Sequence, residues 1–347
     1  MSFINFNAIV HEAWEAYDSS REIIRIEDIS AKVSTNYVYR ITLRDHNIIV
    51  AKLSYFGKFE HFVEDHSIIN ALSNNLPNPF ENFLARSLMK GSELFIHRHQ
   101  SEIIDAWVVF YRPIKIRNRL PKRLNERQIK RLGRETAKFH RACHSVRSTL
   151  PPSSKSMNVD IDGLLNTLAS EEGKFQFHRY IDLIGNHCEL FKSNYDILDA
   201  DSMDTIPVFV DWNIGNFSVT DNFRFFSRWD YDWFRMSSRI MDFYFFSRVV
   251  SDIGDRTIFT YNIDILMEER FITFLKSYHE VFPLTEREIL LLRETYRFFL
   301  LTYVVKYGRY FFHEVFATKL QKEVFDIHLP SIEKKFNPEP LLKALDL

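Results

Sequence analysis

Apolar residues in the first third of the chain alternate between helical and strand spacing. Apolar positions recur at helical spacing over residues 5–17, which predicts one amphipathic helix. Short alternating runs then predict strands, and the polar triplet 44–46 predicts a hairpin turn between two of them. The predicted strands are 23–26, 37–43, 47–53, 83–89 and 94–97. A helix that ends at the proline pair of residues 76–79 separates the third strand from the fourth. This part of the chain is therefore predicted to be a mixed-β unit.

The remaining two thirds are mainly helical by the same criterion. Helical spacing predicts helices over 124–144, within 160–204, and over 243–251, 267–282 and 286–310. Thr285 followed by Glu288 is a capping box, which predicts the start of the last of these helices. Between the helices, short apolar runs at 208–210, 217–219 and 223–229 predict strands, with a turn at 220–222. The pattern favours an α+β protein.

Composition and charge exclude several classes of function. The 347 residues carry 45 Lys and Arg against 46 Asp and Glu, so no global field attracts nucleic acid or anionic lipid. The basic segment 117–131 is interpreted as a solvated helix start rather than a nucleic-acid patch. No apolar run approaches membrane-spanning length and no signal peptide begins the chain, so we expect no membrane partner and a cytoplasmic location. Two cysteines, Cys143 and Cys188, fit a reducing compartment.

Three polar side chains are brought together where the predicted hairpin ends. With a turn centred on 221–222, facing residues have numbers that sum to about 443, so Asn216 opposes Ser227. Asp230 then lies at the same mouth of the hairpin as Asp211. An Asp and an Asn at such a mouth offer the hard oxygen ligands that Mg²⁺ prefers. A second Asp a few ångströms away can accept a proton from an attacking hydroxyl.

The order of motifs over residues 207–243 adds to this picture. Phe209-Val-Asp211-Trp-Asn-Ile-Gly-Asn216 is followed by Trp229-Asp230-Tyr231-Asp232 and then by Ile240-Met-Asp242-Phe243. This order resembles the catalytic segment of the aminoglycoside phosphotransferase and choline kinase-like families, small-molecule relatives of the protein kinases. Their pattern is H-x-D-x-x-x-x-N, then apolar-Asp-aromatic-acid, then a further Asp. Phe209 stands in the place of the family's histidine, which is a scaffold residue there.

The resemblance implies ATP- and Mg²⁺-dependent phosphoryl transfer to a hydroxyl of a small molecule. By this resemblance Asp211 orients the acceptor hydroxyl and accepts its proton, while Asn216 and Asp230 hold Mg²⁺. Asp242 is expected to bond the backbone or the catalytic loop. Asp232 is expected to be an auxiliary group beside the metal.

A lysine in the predicted β unit matches the family's phosphate-binding lysine. Lys52 ends an apolar strand, where a buried cation needs a partner. Taken alone, an edge-strand lysine in water is the simpler interpretation. Its place ahead of the Asp211 segment favours a phosphate ligand instead, oriented by Glu64, with Glu60 as the second choice.

The nucleotide contacts are assigned by resemblance and by position. The wording S-T-N-Y-V-Y-R-I at 34–41 resembles the tail of the family's phosphate loop, although residues 30–36 contain no glycine. Ser34, Thr35 and Asn36 are therefore candidate phosphate contacts, and a polar β-turn is the alternative. Backbone groups from Phe110 to Arg112 occupy the position of the adenine-binding linker between lobes. His140, in a stretch similar to the family's central helix, is expected to be a hydrogen-bonded core residue.

The resemblance implies a protein kinase-like two-lobed α+β fold, with a mixed-β N-lobe at 1–110 and a mainly helical C-lobe at 111–347. The expected acceptor is a sugar, an aminoglycoside or an amino alcohol. Two alternatives stay open: a catalytically degenerate kinase-like protein with a binding or regulatory role, and a helical interaction module without a mixed-β lobe.

Overall fold

The N-lobe is built on antiparallel strands. The computed structural model describes residues 4–31, 34–253 and 260–347. The strands of the N-lobe are β1 (Ile23–Asp28), β2 (Tyr37–Leu43), β3 (Ile48–Ser54), β4 (Met89–Lys90), β5 (Glu93–Leu94), β6 (Ile96–Gln100) and β7 (Asp105–Tyr111). Five of them form one sheet in the order β1-β2-β3-β7-β6, and β4 pairs with β5. The predicted turn at 44–46 joins β2 and β3, with His46 at a positive φ of 63°.

Two helices flank this sheet and belong to different cores. Helix α1 (Phe6–Asp18) buries Val10 and Trp14 in a small core of the N-lobe, where the Trp14 ring meets Phe110 edge-on at 5.2 Å. Helix α2 (Phe59–Asn75) instead buries Ile68 and its neighbours in the large core that continues through the C-lobe. The position of α2 is therefore set by the C-lobe as well as by the sheet.

The predicted strand at 83–89 is wrong over most of its length. Its backbone divides its hydrogen bonds between two partners: the amide of Ala85 donates to Arg228 at 2.9 Å, and that of Leu88 donates to Phe110 at 2.7 Å. The apolar pattern is real, because Phe83 and Leu84 are buried. The segment connects the two lobes instead of forming one regular ladder.

The C-lobe consists of helices around two short antiparallel pairs. Its strands are β8 (Ile206–Val208), β9 (Phe217–Val219), β10 (Phe225–Arg228) and β11 (Arg235–Ser237). Its helices are α3 (Glu126–Val146), α4 (Met157–Ala169), α5 (Glu171–Phe177), α6 (Ile181–Ile197), α7 (Phe243–Val250), α8 (Glu269–His279), α9 (Glu286–Phe299), α10 (Gly308–Phe311), α11 (Glu314–Glu323), α12 (Leu329–Lys335) and α13 (Glu339–Leu345). Short 3₁₀ turns lie at Arg147–Thr149, Ala200–Ser202, Arg239–Asp242 and Asp264–Met267. β9 pairs with β10 and β8 with β11.

The helix predicted over 286–310 starts where expected but does not continue as an α-helix to residue 310. Its start is confirmed, because the side chains and backbone of Thr285 and Glu288 form the expected capping box. At Phe299, however, the α-helix gives way to a π-helical segment, Leu300–Lys306, followed by the short α10. The wider turn exposes carbonyls, and Gln321 donates its side-chain amide to Val305 O at 2.9 Å.

Helices α3 and α8 cross in close contact at a glycine. A Cβ atom added at Gly133 would lie 2.5 Å from the carbonyl oxygen of Phe274, so only a residue without a side chain fits there.

Within the described ranges, the helices are too short or too polar for any of them to cross a lipid bilayer.

Candidate active site

The backbone just before Asp211 is hydrogen-bonded to a buried carboxylate. Asp242 accepts the backbone N–H groups of Phe209 at 2.9 Å and Val210 at 2.6 Å. On its other oxygen it meets Nε2 of His140 at 3.0 Å, and Nδ1 of His140 meets the Tyr278 hydroxyl at 2.9 Å. The predictions that Asp242 bonds the catalytic loop and that His140 is a core histidine are therefore confirmed.

The loop that follows places Asp211 beside Asn216. The Asn216 Nδ2 donates to Asp211 Oδ2 at 2.9 Å and also reaches the Asp211 carbonyl at 3.3 Å. Val210, just before Asp211, adopts a φ of 58°, a left-handed conformation that β-branched residues rarely take. The hydrogen bonds to Asp242 hold this conformation, which turns the Asp211 side chain toward the mouth of the hairpin.

The hairpin forms as predicted, but its register is shifted. Ser218 faces Ser227 and Phe217 faces Arg228, so facing numbers sum to 445 at the mouth instead of the expected 443. The cause is an irregularity in the ladder after Phe225 and a loop that is longer than the predicted two-residue turn. The shift brings Trp229 opposite Asn216, with a backbone hydrogen bond of 3.0 Å between them.

Asp230 follows at once and turns back toward the N-lobe. Its φ is 67°, and its carboxylate accepts the Lys52 ammonium at 3.0 Å. Lys52 also contacts Asp232, whose other oxygen accepts Asn36 Nδ2 at 2.7 Å. Residues from the sheet and from the hairpin thus meet at one cluster of charges, although their positions in the sequence are far apart.

Burial and pairing act against each other in this cluster. Burial disfavours the ammonium of Lys52, yet the attraction of Asp230 and Asp232 prevails and raises the pKa of Lys52 above its ordinary value. Burial also works to raise the pKa of Asp230, but Lys52 outweighs it and the pKa falls. For Asp232 the effect of burial prevails and the pKa rises. The lysine stays charged, as a phosphate ligand must.

The expected pairing of Lys52 with Glu64 is contradicted. Oε1 of Glu64 accepts the Ser153 hydroxyl at 2.7 Å and the Ser154 backbone N–H at 2.8 Å, both in the loop before α4. Glu60, the second choice, lies 3.9 Å from Arg98. Because α2 packs into the core shared with the C-lobe, its Glu64 face is directed toward that lobe and away from Lys52.

The predicted phosphate loop is directed toward the C-terminal part of the chain. Thr35 donates its hydroxyl to the Tyr310 carbonyl, so this group does not point toward a nucleotide as expected. Ser34 forms a backbone bridge with Phe312 and accepts the Asn36 N–H on its hydroxyl at 3.1 Å. Lys32 and Val33 of the same loop lie outside the described residues.

The expected adenine contacts at Phe110 and Arg112 also require correction. The Phe110 carbonyl accepts the Leu88 amide at 2.7 Å, and the Arg112 amide donates to Arg86 at 3.0 Å. The Phe110 ring is fully buried under α1. These backbone groups hold the inter-lobe segment 83–88 against β7, which is why they do not face a nucleotide.

Phe209 has a clear structural role in the place of the family's histidine. The ring is fully buried, 5.3 Å from Phe234 and 5.8 Å from Tyr231 between ring centroids. The guanidinium of Arg228 lies over it at 4.6 Å and donates to the Asp211 carbonyl at 3.0 Å. Sequence reasoning missed Arg228. The signal was a cation near the end of an apolar strand, as for Lys52, but the predicted strand 223–229 also contains Arg224 and the sequence does not tell the two arginines apart.

A cavity of about 430 Å³ adjoins this charge cluster through Asp232. It lies between α2, α4, the residues after Asp230 and the π-helical segment at the C-terminal side. Aromatic side chains line it, and so do two charge pairs. Lys155 binds Asp65 at 2.5 Å and Arg235 binds Asp160 at 3.0 Å. Burial raises the pKa of Asp65 to about 6 in spite of Lys155.

The donor set at the hairpin mouth fits Mg²⁺. Asp230 supplies a carboxylate whose side chain is 39% exposed, so it remains accessible beside Lys52. The Nδ2 of Asn216 donates to Asp211, so the side-chain atom of Asn216 that is left to bind a metal is its amide oxygen. One carboxylate and one amide oxygen match a hard ion that keeps waters and phosphate oxygens as its other ligands.

Comparisons with known proteins establish the fold. No protein-family model matches the chain, and no curated protein does. An amicoumacin kinase in complex with AMP-PNP and Ca²⁺ is 11% identical, with 97% of each chain covered and a TM-score of 0.63. A microcompartment-associated aminopropanol kinase is 14% identical, with 96% of this chain and 99% of that chain covered and a TM-score of 0.60. A spectinomycin phosphotransferase in complex with ADP and spectinomycin is 15% identical, with 96% and 98% covered and a TM-score of 0.55.

At these identities the likeness concerns the fold alone. The predicted two-lobed α+β kinase-like fold is confirmed, and with it the resemblance to the aminoglycoside phosphotransferase type of structure. The interaction module without a mixed-β lobe is excluded by the sheet of the N-lobe.

Proposed function

We propose that the protein is an ATP- and Mg²⁺-dependent phosphotransferase that acts on a hydroxyl of a small molecule. The observation that carries this proposal is the hydrogen bond between Asp211 and Asn216 at the mouth that also receives Asp230 and Lys52. The backbone N–H of Trp229 donates to the Asn216 carbonyl at 3.0 Å, so Asp230 directly follows the residue that meets Asn216. The proposed base, the proposed oxygen ligands and the proposed phosphate-binding cation therefore lie on adjoining parts of the site. The solved structures with the same fold include kinases and phosphotransferases of small molecules.

The proposed mechanism is one of positioning. Asp211 orients the acceptor hydroxyl and takes up its proton as the oxygen attacks the γ-phosphorus of ATP, while the bond from that phosphorus to the β–γ bridging oxygen breaks and ADP leaves. Lys52 binds phosphate oxygens and offsets their charge. Asn216 and Asp230 would hold Mg²⁺, which supplies further neutralisation of the phosphates when bound. Phosphoryl transfer needs little covalent help from the protein, so these groups suffice.

We assign the body of the acceptor to the cavity next to Asp232. Asp211 does not line this cavity, so the reacting hydroxyl has to extend out of it to reach Asp211. Its volume of about 430 Å³ suits a small molecule, and Phe234 and Tyr303 supply flat apolar faces. Its carboxylates Asp65 and Asp160 are paired with cations of the wall. A polycationic aminoglycoside needs several carboxylates that are not neutralised in this way. The pairing therefore supports a neutral, hydroxyl-rich acceptor such as a sugar, or an amino alcohol with one charge.

One observation favours the alternative of a degenerate, binding or regulatory protein. Residues 30–36 contain no glycine, and Ser34 and Thr35, in the described part of this loop, are bonded to Phe312 and Tyr310 of the C-terminal segment. This alternative predicts no transfer to any acceptor, with or without nucleotide binding.

Thermal unfolding with Mg²⁺-ATP tests the proposal directly. A ligand that binds only the folded state at a hundredfold its Kd adds about 2.7 kcal/mol to the free energy of unfolding. We expect this gain for the wild type and for Asp211→Asn, and its loss in Asp230→Asn. Transfer to acceptors found by screening should fall about a thousandfold in Asp211→Asn.

The outcomes separate the two functions. No stabilisation of the wild type by millimolar Mg²⁺-ATP would contradict the phosphotransferase. Stabilisation without transfer to any sugar or amino alcohol, in a screen that includes aminoglycosides, would favour the binding protein.

A further inference from the structure

We propose that Asp232, and not an acidic residue of helix α2, is the residue that positions Lys52. The inference rests on the proposed function, in which Lys52 binds the phosphates. In protein kinases the corresponding lysine pairs with a glutamate of an N-lobe helix. Here the ammonium of Lys52 contacts Asp232 and, at 3.0 Å, Asp230, and both belong to the catalytic segment of the C-lobe.

The acidic residues of α2 are all engaged with other groups. Glu60 lies near Arg98, and Glu64 accepts two hydrogen bonds from the loop that contains Ser153. Asp65 binds Lys155 across the lobes at 2.5 Å. The helix that supplies the partner in protein kinases is here occupied in fastening the two lobes together.

Asp232 is itself fixed in a way that suits a positioning role. One oxygen of Asp232 contacts Lys52. The other accepts a hydrogen bond of 2.7 Å from Nδ2 of Asn36, the residue just before β2. The Asp232 backbone N–H lies 3.4 Å from an oxygen of Asp230. The carboxylate is therefore bound on both sides, and its direction toward Lys52 is set by the sheet as well as by the hairpin.

The two carboxylates then have different tasks. In the proposed reaction Asp230 holds Mg²⁺, so Asp232 is the carboxylate that remains for Lys52. Without Asp232 the ammonium would pair with Asp230 alone and would compete with the metal for it. Mg²⁺-ATP binding should therefore depend on Asp232 through Lys52.

A double-mutant cycle on Mg²⁺-ATP affinity, measured by calorimetry on the full chain, tests this dependence. We expect Asp232→Asn to weaken binding about tenfold, because a tenfold change is a typical coupling for one charged pair. In the Lys52→Gln background the same substitution should change affinity less than about twofold. Asp232→Glu, which retains the charge, should recover most of the affinity, and Glu64→Gln should behave like the wild type.

Other results would overturn the inference. If Asp232→Asn weakens binding by the same factor with and without Lys52, then Asp232 acts on its own, for example as a metal ligand. If Glu64→Gln weakens binding as much as Asp232→Asn, then α2 positions the lysine after all. If the wild type does not bind Mg²⁺-ATP, the proposed function fails and this inference fails with it. In the two preceding results the wild type binds Mg²⁺-ATP and only the inference fails, so the two failures are distinguishable.

Two controls keep the cycle interpretable. Asp221→Asn makes the same change of charge in the exposed turn of the same hairpin and should leave affinity unchanged. Thermal unfolding without nucleotide verifies that each variant is folded. If Lys52→Gln fails to fold, Lys52→Met takes its place in the cycle, since it removes the charge and keeps an unbranched side chain of similar length.

Discussion

The carboxylate of Asp242 accepts a hydrogen bond of 2.6 Å from the backbone N–H of Val210, which lies 32 residues earlier in the chain. Val210 directly precedes Asp211, the proposed base. Val210 has a left-handed φ of 58°, which costs on the order of 1–3 kcal/mol for a β-branched residue. We expect Asp242→Asn to lower the free energy of unfolding by about 3 kcal/mol, since it disrupts a buried charged network. Urea unfolding measures this loss.

The outer part of the same network supplies the control. Tyr278→Phe removes only the hydroxyl that meets His140, and we expect a cost of about 1 kcal/mol. Mg²⁺-ATP affinity and transfer should fall in Asp242→Asn and not in Tyr278→Phe, because Asp242, unlike Tyr278, bonds the backbone that leads into the loop with Asp211 and Asn216. Equal effects of the two substitutions would contradict this assignment.

A histidine at position 209, where the families that the segment resembles have one, should destabilise this protein. The buried Phe209 ring lies under the Arg228 guanidinium at 4.6 Å, so an imidazole there would bury polar atoms next to a cation. We expect Phe209→His to cost about 1–3 kcal/mol of unfolding free energy. Phe209→Leu, which stays apolar but loses the ring face, is the comparison. A Phe209→His variant that is more stable than the wild type would contradict this prediction.

Gly133 should not tolerate even an alanine. Its Cβ would meet the Phe274 carbonyl at 2.5 Å, so α3 and α8 would have to separate. The expected cost of such overpacking is about 1–3 kcal/mol, more than the helix propensity of alanine returns. Gly185, in α6, has no atoms within 4 Å of an added Cβ, and Gly185→Ala should stabilise by up to about 1 kcal/mol. Thermal unfolding of the two variants gives opposite signs if the contact is as described.

His66 should make stability depend on pH. The Tyr111 hydroxyl donates to Nε2 at 2.6 Å, and Nδ1–H donates to the Phe62 carbonyl at 2.8 Å, which is the neutral ring. Burial, reinforced by Lys52 and Lys155, lowers the pKa of His66 to about 3. The unfolded chain takes up a proton below about pH 6.5 and the folded protein does not. The contribution of His66 to stability is therefore complete above that pH and is lost as the pH falls toward 3.

Urea unfolding at pH 7 and pH 5 measures this effect. From the shift in pKa we expect His66 to account for about 2 kcal/mol of the loss between these two values. His66→Gln should remove that part of the pH dependence, while substitution of the exposed His313 by Gln should not. An unchanged pH dependence in His66→Gln would mean that the ring is protonated in the folded protein.

Much of the fold follows from local patterns. Strand alternation and the turn at 44–46 predicted β2 and β3 closely, because period-two burial and turn residues act over a few neighbours. The capping box at Thr285 was likewise local. The hairpin around Asp221 was predicted, but its register was missed by two, since the length of a loop is decided by its own backbone geometry.

Partners across long distances in sequence were not predictable in the same way. Lys52 was expected to meet Glu64, and it meets carboxylates about 180 residues away instead. Which face of α2 reaches the lysine depends on how that helix rotates into the core shared with the C-lobe. The contact of Thr35 with Tyr310, 275 residues apart, likewise has no local signal. The roles of the site residues stay predictions for the experiments above.

Contacts at two separate places join the two lobes. Asp65 and Glu64 join α2 to the loop before α4, and Thr35 joins the β1–β2 connection to the C-terminal segment. Under the proposed function a nucleotide lies between the lobes, and we expect the separation of these contacts and the release of ADP, and not the chemical step, to set the turnover number. An enzyme of this kind shows a burst of phosphorylated product in its first cycle and slows as solvent viscosity rises.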